Sequence, residues 1–179
     1  MSRIFCLLAA LFLFGGPGLA QDDGVPHRVD YQGTMLALNG YGEREVMWMD
    51  VYRCALYLAR PSSDPAEIIK MRDAKLLRVQ VLIDGAPDEM PQRWRETLDE
   101  ELTGRLFRRI KKAYRRASAG DELTFAYLPG KGTTFYFNGK RIFNDPGYGL
   151  MESLLDQWMG ARPVSRNLKR LLASAAPRS

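Results

Sequence analysis

The stretch from residue 39 to residue 58, N-G-Y-G-E-R-E-V-M-W-M-D-V-Y-R-C-A-L-Y-L, determines how this chain is expected to fold. Its first part places Gly40 and Gly42 on either side of one residue. Its second part is rich in Val, Met, Trp, Tyr and Leu, most of which favour β-strands. Residues 27–38 have the composition of a strand as well. We therefore predict two strands, 27–38 and 46–58, joined by a turn at residues 40–42.

Turn and capping signals divide the rest of the chain into helices and a second group of strands. Asp64 before Pro65 is typical of a helix start, Asn138 before Gly139 indicates a two-residue hairpin, and Gly160 indicates a helix end. The predicted helices are 64–71, 87–116, 147–158 and 165–173, and the further strands are 76–83, 122–127, 133–137 and 141–143. Because these elements do not alternate as β-α-β units, we predict an α+β fold, a mostly antiparallel sheet with helices packed on one face.

The first twenty residues have the pattern of a signal peptide. Arg3 supplies a positive charge, residues 4–14 are apolar, and Gly18-Leu19-Ala20 offers small residues for cleavage. The apolar run is much shorter than the ~20 residues that a membrane-spanning helix needs. We therefore predict that residues 1–20 are removed and that residues 21–179 form one domain in the periplasm, without a transmembrane anchor.

Histidine and cysteine, which are frequent in catalytic and metal-binding sites, are scarce in this chain. His27 is the only histidine, which argues against histidine-based triads and histidine-rich metal sites. Cys54 is the only cysteine after residue 20, and we expect it to pack as a small hydrophobic residue. The G-K-G-T segment at residues 130–133 lacks the spacing of a phosphate-binding loop and is expected to form a hairpin turn. No metal and no cofactor is predicted.

Basic residues are concentrated in the predicted helix 87–116, in a chain whose formal net charge is +5. They are Arg105, Arg108, Arg109, Lys111, Lys112, Arg115 and Arg116. Apolar residues keep a helical spacing through the same stretch, so a solvated helix face is one explanation of the charges. The other is a docking face for an acidic partner or an anionic surface, formed by Arg105, Arg108, Arg109, Lys112 and Arg116. Nucleic acid is not expected as a partner, because the chain is predicted to be exported.

Two further segments extend the pattern that begins at residues 39–58. Residues 127–133, Y-L-P-G-K-G-T, are followed by N-G-K at residues 138–140, and residues 158–172 are W-M-G-A-R-P-V-S-R-N-L-K-R-L-L. In this order, the three segments resemble the chalcone isomerase family, specifically its bacterial exported chalcone-isomerase-like branch. The resemblance implies an open-faced β-sandwich. It does not specify an activity, since one fold can serve several functions.

Arg44 is the residue to which the resemblance assigns a ligand. It corresponds to the arginine of a G-x-G-x-R motif. In plant chalcone isomerases that arginine holds the developing phenolate of the substrate, and in fatty-acid-binding relatives it pairs with a carboxylate. A guanidinium suits both roles, because it stays charged and offers two parallel donors. The alternative is an arginine that forms a salt bridge at a strand end and serves the fold.

The other catalytic positions of the plant enzymes differ in this chain. By the resemblance, two threonines correspond to Tyr52 and Gln157, and the tyrosine and asparagine of the central helix fall near Trp94 and Glu101. Tyr52 keeps a hydroxyl for an anion, whereas an acid at Glu101 would repel one. The resemblance therefore makes chalcone isomerisation doubtful. If the protein is an enzyme, Arg44 and Tyr52 are its candidate catalytic residues.

Three functions of different classes remain open. The leading one is a non-catalytic periplasmic protein that binds a small amphipathic anion, a fatty acid or an aromatic acid, in a cleft. Its ligand-binding residues would be Arg44, Tyr52, Trp48, Trp94 and Gln157, with Met49, Tyr57 and Leu98 also in the wall. The first alternative is an intramolecular lyase or isomerase of the chalcone isomerase type. The second is an envelope protein that binds a partner through the basic helix face.

Overall fold

A seven-stranded antiparallel sheet, curled like a half-barrel, forms the body of the protein in the computed structural model, which describes residues 24–84, 108–110, 112–113 and 115–175. The strands are β1 (Arg28–Tyr31), β2 (Thr34–Val46), β3 (Met49–Leu58), β4 (Lys75–Val81), β5 (Glu122–Leu128), β6 (Gly132–Phe137) and β7 (Lys140–Asp145). The helices are α1 (Pro65–Lys70), α2 (Gly149–Met159) and α3 (Arg166–Leu172). Residues 108–110 and 112–113 are helical as well. Each strand pairs with its neighbours in the chain, so the predicted α+β class and antiparallel sheet are confirmed.

Successive residues of β3 face opposite sides of the sheet and belong to two separate cores. Cys54, Leu56 and Leu58 lie in the larger core, whereas Ala55 and Tyr57 lie in a smaller cluster on the other face. The helices contribute to the larger core Ile68 from α1, Leu154 and Leu155 from α2, and Leu168 and Leu172 from α3. These three helices therefore pack on one face of the sheet, as predicted. We call this face the helix side.

The turn predicted at residues 40–42 is wrong, because the hairpin turns further along the chain. Gly40 and Gly42 lie inside β2, which continues to Val46. The turn is made by Met47 and Trp48, whose φ angles of 47° and 61° lie in the left-handed region. The two strands of this hairpin, β2 and β3, are consequently long and extend about equally far towards the turn.

The two glycines serve close packing between β2 and α3. A Cβ atom on Gly40 would collide with the carbonyl oxygens of Leu171 and Leu172, and one on Gly42 would collide with the side chain of Leu171. Glycine is the residue that lets a helix backbone approach a strand this closely. The glycine signal therefore reflects a contact between distant segments of the chain instead of a turn.

Asn39 stabilises the same contact between β2 and α3. The pairing of β2 with β3 shifts between Leu38 and Gly40, which leaves Asn39 as a bulge in β2. Its buried side chain donates from Nδ2 to the carbonyl oxygen of Leu172 at 2.7 Å. Its Oδ1 accepts from the backbone N–H of Ser62 at 2.8 Å. Asn39 thus links β2, the end of α3 and the loop before α1.

The local signals for caps and turns are confirmed. Asp64 caps α1 through a side-chain hydrogen bond of 2.8 Å to a backbone N–H, and Gly160 follows the last residue of α2. Asn138 and Gly139 form the turn between β6 and β7, with φ angles of 49° and 71°. Residues 129–131 form the turn between β5 and β6, so the G-K-G-T segment belongs to a hairpin, as expected.

Lys75 is a fully buried cation that the sequence did not reveal. Its Nζ atom donates to the carbonyl oxygens of Ile68 at 2.8 Å and Met71 at 2.7 Å, at the end of α1, and to the hydroxyl oxygen of Tyr148 at 2.8 Å. That hydroxyl in turn donates to the carbonyl oxygen of Ile69 at 2.6 Å. Burial lowers the pKa of Lys75 to about 8. Lys75 therefore joins the end of α1 to the start of α2.

Cys54 is fully buried on the helix side, and burial raises the pKa of its thiol. A raised pKa leaves little of the reactive thiolate near neutral pH. The expectation that Cys54 packs as a small hydrophobic residue is confirmed.

Candidate functional site

Arg44 and Tyr52 face each other across the β2–β3 hairpin. They are direct partners in the antiparallel pairing. Opposed residues of such a pair point to the same face of the sheet, with Cβ atoms about 4.5–5.5 Å apart. Because Tyr52 packs against the helix-side core, Arg44 lies on that face as well. The structure therefore makes neighbours of the two residues that were candidates for catalysis or for binding an anion.

Tyr52 is held in place by α2. Its hydroxyl oxygen accepts a hydrogen bond from Nε1 of Trp158 at 3.0 Å, and the two rings meet edge to face with their centroids 6.5 Å apart. Trp158 is fully buried in the last turn of α2. A phenol hydroxyl can accept one hydrogen bond and donate another, so Tyr52 has the chemistry to bind an anion. The contact with Trp158 depends on tertiary packing and has no local signal in the sequence.

Arg44 is half-buried and bonded locally. Its Nη1 donates to the carbonyl oxygen of the adjacent Glu45 at 3.0 Å. Within the described part of the chain, no ion pair involves Arg44. Glu43 is instead bound by Arg53 on the opposite face, where Nη2 and Nε lie 2.7 Å and 3.0 Å from Oε1. A salt bridge that would make Arg44 a structural residue is therefore not found among these residues.

Because the turn was predicted too early in the chain, Arg44 was also assigned to the wrong strand. The sequence placed it just after the turn, at the beginning of the long second strand. The structure places it near the end of β2, two residues before Val46. Arg44 is nevertheless adjacent to Tyr52, because the hairpin pairs these two positions across its strands.

Most of the chain matches a known family, since the model described as chalcone isomerase-like covers residues 20–173. The chain belongs to this chalcone isomerase-like family. Among solved structures, it is similar to a fatty-acid binding protein from Arabidopsis thaliana, with a TM-score of 0.60 and 14% sequence identity, over 84% of this chain and 92% of that chain. At this identity the similarity shows the fold alone. Comparison with curated proteins gives no match.

Some residues expected in the cleft of this chalcone isomerase-like domain lie elsewhere. Trp48 is at the tip of the β2–β3 hairpin with 83% of its surface exposed, so its ring is not part of a cleft wall. Met49 follows it and is exposed too. Tyr57 is fully buried, but in the cluster on the face opposite Tyr52. Strand periodicity explains this last correction, because positions 52 and 57 differ by an odd number of residues.

The remaining cleft candidates lie on α2 or outside the described residues. Gln157 is buried in the last turn of α2, next in the chain to Trp158. Trp94, Leu98, Glu101 and Arg105 belong to the predicted helix 87–116 and are outside the residues that the structure describes. The ligand-binding roles of Gln157 and Trp94 stay predictions.

A cavity beside the hairpin does not suit an anion. It has a volume of about 630 Å³ and lies between the β2–β3 hairpin and the start of α3. Glu43, Glu45 and Asp50 are among its lining residues, whereas Arg44 and Tyr52 are not. Arg53 also lines the cavity but is paired with Glu43, so the lining keeps a net negative charge, which disfavours a negatively charged ligand. The helix side beside Arg44 and Tyr52 remains the candidate site.

A polar cluster on the opposite face is balanced in charge. Nε of Arg78 lies 3.3 Å from Oε2 of Glu122, and the guanidinium of Arg78 is 5.7 Å from the centre of the Tyr57 ring. The Tyr57 hydroxyl is buried and has no hydrogen-bond partner among the described residues, and burial is the main cause that raises its pKa. A small cavity of about 100 Å³ borders all three residues. Since the arginine already has a carboxylate beside it, we assign this cluster to the fold.

The pair of Arg44 and Tyr52 on the helix side offers a fixed positive charge and a phenol O–H, which together can hold a carboxylate or a phenolate.

No group of three His, Cys, Asp or Glu side chains in the described ranges is arranged to hold a metal ion. No helix in these ranges has the length and apolar composition needed to cross a membrane.

Proposed function

We propose that this chalcone isomerase-like protein binds a small amphipathic anion, a fatty acid or an aromatic acid, without transforming it. The pairing of Arg44 with Tyr52 on the helix side carries this proposal. The guanidinium supplies charge and parallel N–H donors to a carboxylate, and the phenol of Tyr52 lies beside it on the adjacent strand. Tyr52 packs against the helix-side core, so an alkyl or aryl group held at this pair would adjoin apolar residues.

The similarity to a fatty-acid binding protein supports a carboxylate ligand for this fold. The site differs from the plant enzymes at two catalytic positions, because Tyr52 and Gln157 stand where two threonines are expected. This difference favours binding without catalysis.

Extraction of the purified protein followed by mass spectrometry is the direct test. We expect a fatty acid or an aromatic acid to be recovered in an amount approaching one per protein. Titration with dodecanoate, with dodecanol as the uncharged control, should then show at least about ten-fold tighter binding of the carboxylate. Equal binding of the two compounds, or no binding of either together with an empty extract, would refute the proposal.

We propose further that this binding takes place in the periplasm. The support is the signal-peptide pattern of residues 1–20, with its positive start, apolar run and Gly18-Leu19-Ala20 cleavage site. Residues 1–20 lie outside the described part of the structure. N-terminal sequencing of the protein from an envelope fraction should give Gln21 as the first residue. Recovery of a chain that begins at Met1 in the inner membrane would contradict this.

A further inference from the structure

The tip of the β2–β3 hairpin is a run of exposed apolar residues. Val46, Met47, Trp48 and Met49 expose 39%, 69%, 83% and 48% of their surfaces. The pairing of β3 with β4 ends at Tyr52, so these four residues extend past the end of β4 and project from the sheet. Isolated exposed apolar residues are common on proteins, but a contiguous projecting group of this kind marks a surface that binds something. We call residues Val46–Met49 the apolar tip.

The backbone of the apolar tip disfavours the residues that occupy it. Met47 and Trp48 both have positive φ angles, 47° and 61°. A two-residue hairpin turn of this conformation strongly prefers Asn-Gly, and bulky residues there are strained. Two other two-residue turns of the same type in the described ranges, Gln32-Gly33 and Asn138-Gly139, both place glycine at the second position. Local strain combined with exposed apolar side chains indicates that Met47 and Trp48 serve a purpose other than folding.

The same end of the sheet carries a group of basic residues. The register places Val81 beside Tyr52, Glu122 beside Gln80, and Phe137 beside Leu123. The turn between β6 and β7 therefore lies at the end of the sheet from which the apolar tip projects.

A basic groove of about 390 Å³ lies at this turn. Its basic residues are Arg109 and Lys112 from the helical segment, Arg116 from the turn after it, and Lys140 and Arg141 from β7, around an apolar floor of Ala113, Phe137 and Ile142. The helical segment is joined to β7 by a hydrogen bond from Nη1 of Arg109 to the carbonyl oxygen of Ile142 at 3.2 Å.

Among the described residues, no acid balances the charges of the basic groove. None of the described residues that line it is acidic, and in the described ranges none of its five basic residues forms an ion pair. The sequence predicted only the helical half of this surface, and the β6–β7 hairpin adds Lys140 and Arg141. Basic side chains around an apolar floor are suited to a phosphate group that is attached to an alkyl chain.

We propose that this end of the sheet docks on a membrane surface that contains anionic phospholipid. The apolar tip enters the interface between headgroups and acyl chains, where Trp is the preferred aromatic residue, and the basic groove holds a headgroup phosphate. Glu45 and Asp50 are cross-strand neighbours immediately behind the tip. Their carboxylates remain in water and limit the depth of insertion. A convex tip needs no complementary cavity in a lipid surface, which favours lipid over a protein partner. This docking does not depend on the proposed ligand at Arg44.

The experiment measures binding of the purified protein to phosphatidylcholine vesicles with and without phosphatidylglycerol. One variant, Met47→Asn with Trp48→Gly, replaces the two most exposed residues of the apolar tip by the preferred turn residues, so the hairpin is retained or strengthened. A second variant, Lys140→Glu with Arg141→Glu, reverses the charge of the basic groove. The matched controls, Met35→Ser and Lys131→Glu, change an exposed apolar and an exposed basic residue at the opposite end of the sheet.

We expect binding to the vesicles that contain phosphatidylglycerol and a loss of about ten-fold or more in each test variant, against less than about two-fold in each control. Higher ionic strength should weaken the binding of the native protein. The proposal is overturned if the native protein does not bind these vesicles, if either test variant binds as the native protein does, or if the controls lose as much. If the native protein binds polyglutamate through Lys140 and Arg141 but does not bind vesicles, the groove serves an acidic protein and the membrane proposal fails.

Discussion

Nε1 of Trp158 lies 3.0 Å from the hydroxyl oxygen of Tyr52, which is itself the cross-strand partner of Arg44. The two members of the candidate site are therefore held differently. Tyr52 is fixed by a buried side chain of α2, whereas the one hydrogen bond described for Arg44 goes to the adjacent carbonyl oxygen of Glu45. A change at Arg44 should consequently separate ligand binding from stability more cleanly than a change at Tyr52.

Arg44→Met should weaken the binding of an anionic amphipath about ten-fold or more, because the charge and the parallel donors are lost. The melting temperature of ligand-free protein should stay nearly the same or rise, since the described residues provide no ion pair to break. Arg44→Lys should restore only part of the affinity, because a point charge cannot make the two-pronged contact. Titration calorimetry and thermal melts measure both effects.

Arg28→Met is the matched control, since Arg28 is an exposed arginine on the edge strand β1, far along β2 from Arg44. It should change neither affinity nor melting temperature. If Arg44→Met unfolds the protein while bound anion is retained, Arg44 is a structural residue and the binding proposal loses its main support.

The protein should not cyclise chalcones at the rates of its plant relatives. By the resemblance, Tyr52 and Gln157 correspond to two threonines of the plant enzymes, and Gln157 has no hydroxyl. Loss of one oriented donor that acts in the transition state commonly costs a factor of about 10² to 10³. A spectrophotometric assay, with the buffer reaction as the baseline, measures the rate. Turnover far above that baseline, abolished by Arg44→Met, would establish the isomerase alternative instead.

The accuracy of the sequence-based fold prediction depended on how local each signal was. Asp64, Gly160 and the Asn138-Gly139 pair were interpreted correctly, because a cap or a two-residue turn is determined by a few adjacent residues. Gly40 was misinterpreted, because glycine serves both turns and close helix approaches, and the approach of Leu171 is visible only in the folded chain.

The same distinction applies to the candidate site. Arg44 and Tyr52 were identified through their motif, but their direct pairing required the true position of the turn at Met47. The role of Trp158 and the basic groove residues Lys140 and Arg141 could not be inferred, since each depends on elements that meet only in three dimensions.

Two buried tyrosines provide a matched test of the packing. The Tyr148 hydroxyl accepts from Lys75 Nζ at 2.8 Å and donates to the carbonyl oxygen of Ile69 at 2.6 Å, whereas the Tyr57 hydroxyl has no partner among the described residues. Tyr148→Phe should lower the free energy of unfolding by about 1–3 kcal/mol, because buried partners lose their hydrogen bonds. Tyr57→Phe should leave it within about 0.5 kcal/mol or raise it, since an uncompensated buried hydroxyl is removed.

Urea denaturation of the two variants beside the native protein measures these changes. An equal loss of stability in both variants would show that the Tyr57 hydroxyl has a partner, for which the adjacent polar cavity of about 100 Å³ provides room for ordered water.

Lys75 should make the protein more stable as the pH rises above 8. Burial lowers its pKa from 10.5 to about 8 in the folded state. Above pH 8 the unfolded chain therefore keeps a proton that the folded chain has released, and the free energy of unfolding rises with pH in proportion to that difference. The neutral amine still carries two N–H donors for the carbonyl oxygens of Ile68 and Met71, so α1 stays attached.

The interval in which this effect can be isolated is narrow. The thiol of Cys54, whose pKa is raised from 9.0 by burial, holds its proton in the folded state and so opposes the rise increasingly as the pH approaches and passes 9. Between about pH 7.5 and about pH 9, the gain from Lys75 should be about 1 kcal/mol. Lys75→Met should be less stable throughout, because the carbonyl oxygens of Ile68 and Met71 lose their donor, but its free energy of unfolding should not rise over this interval. Denaturant titrations at several pH values compare the two proteins, and an equal rise in both would show that another group causes it.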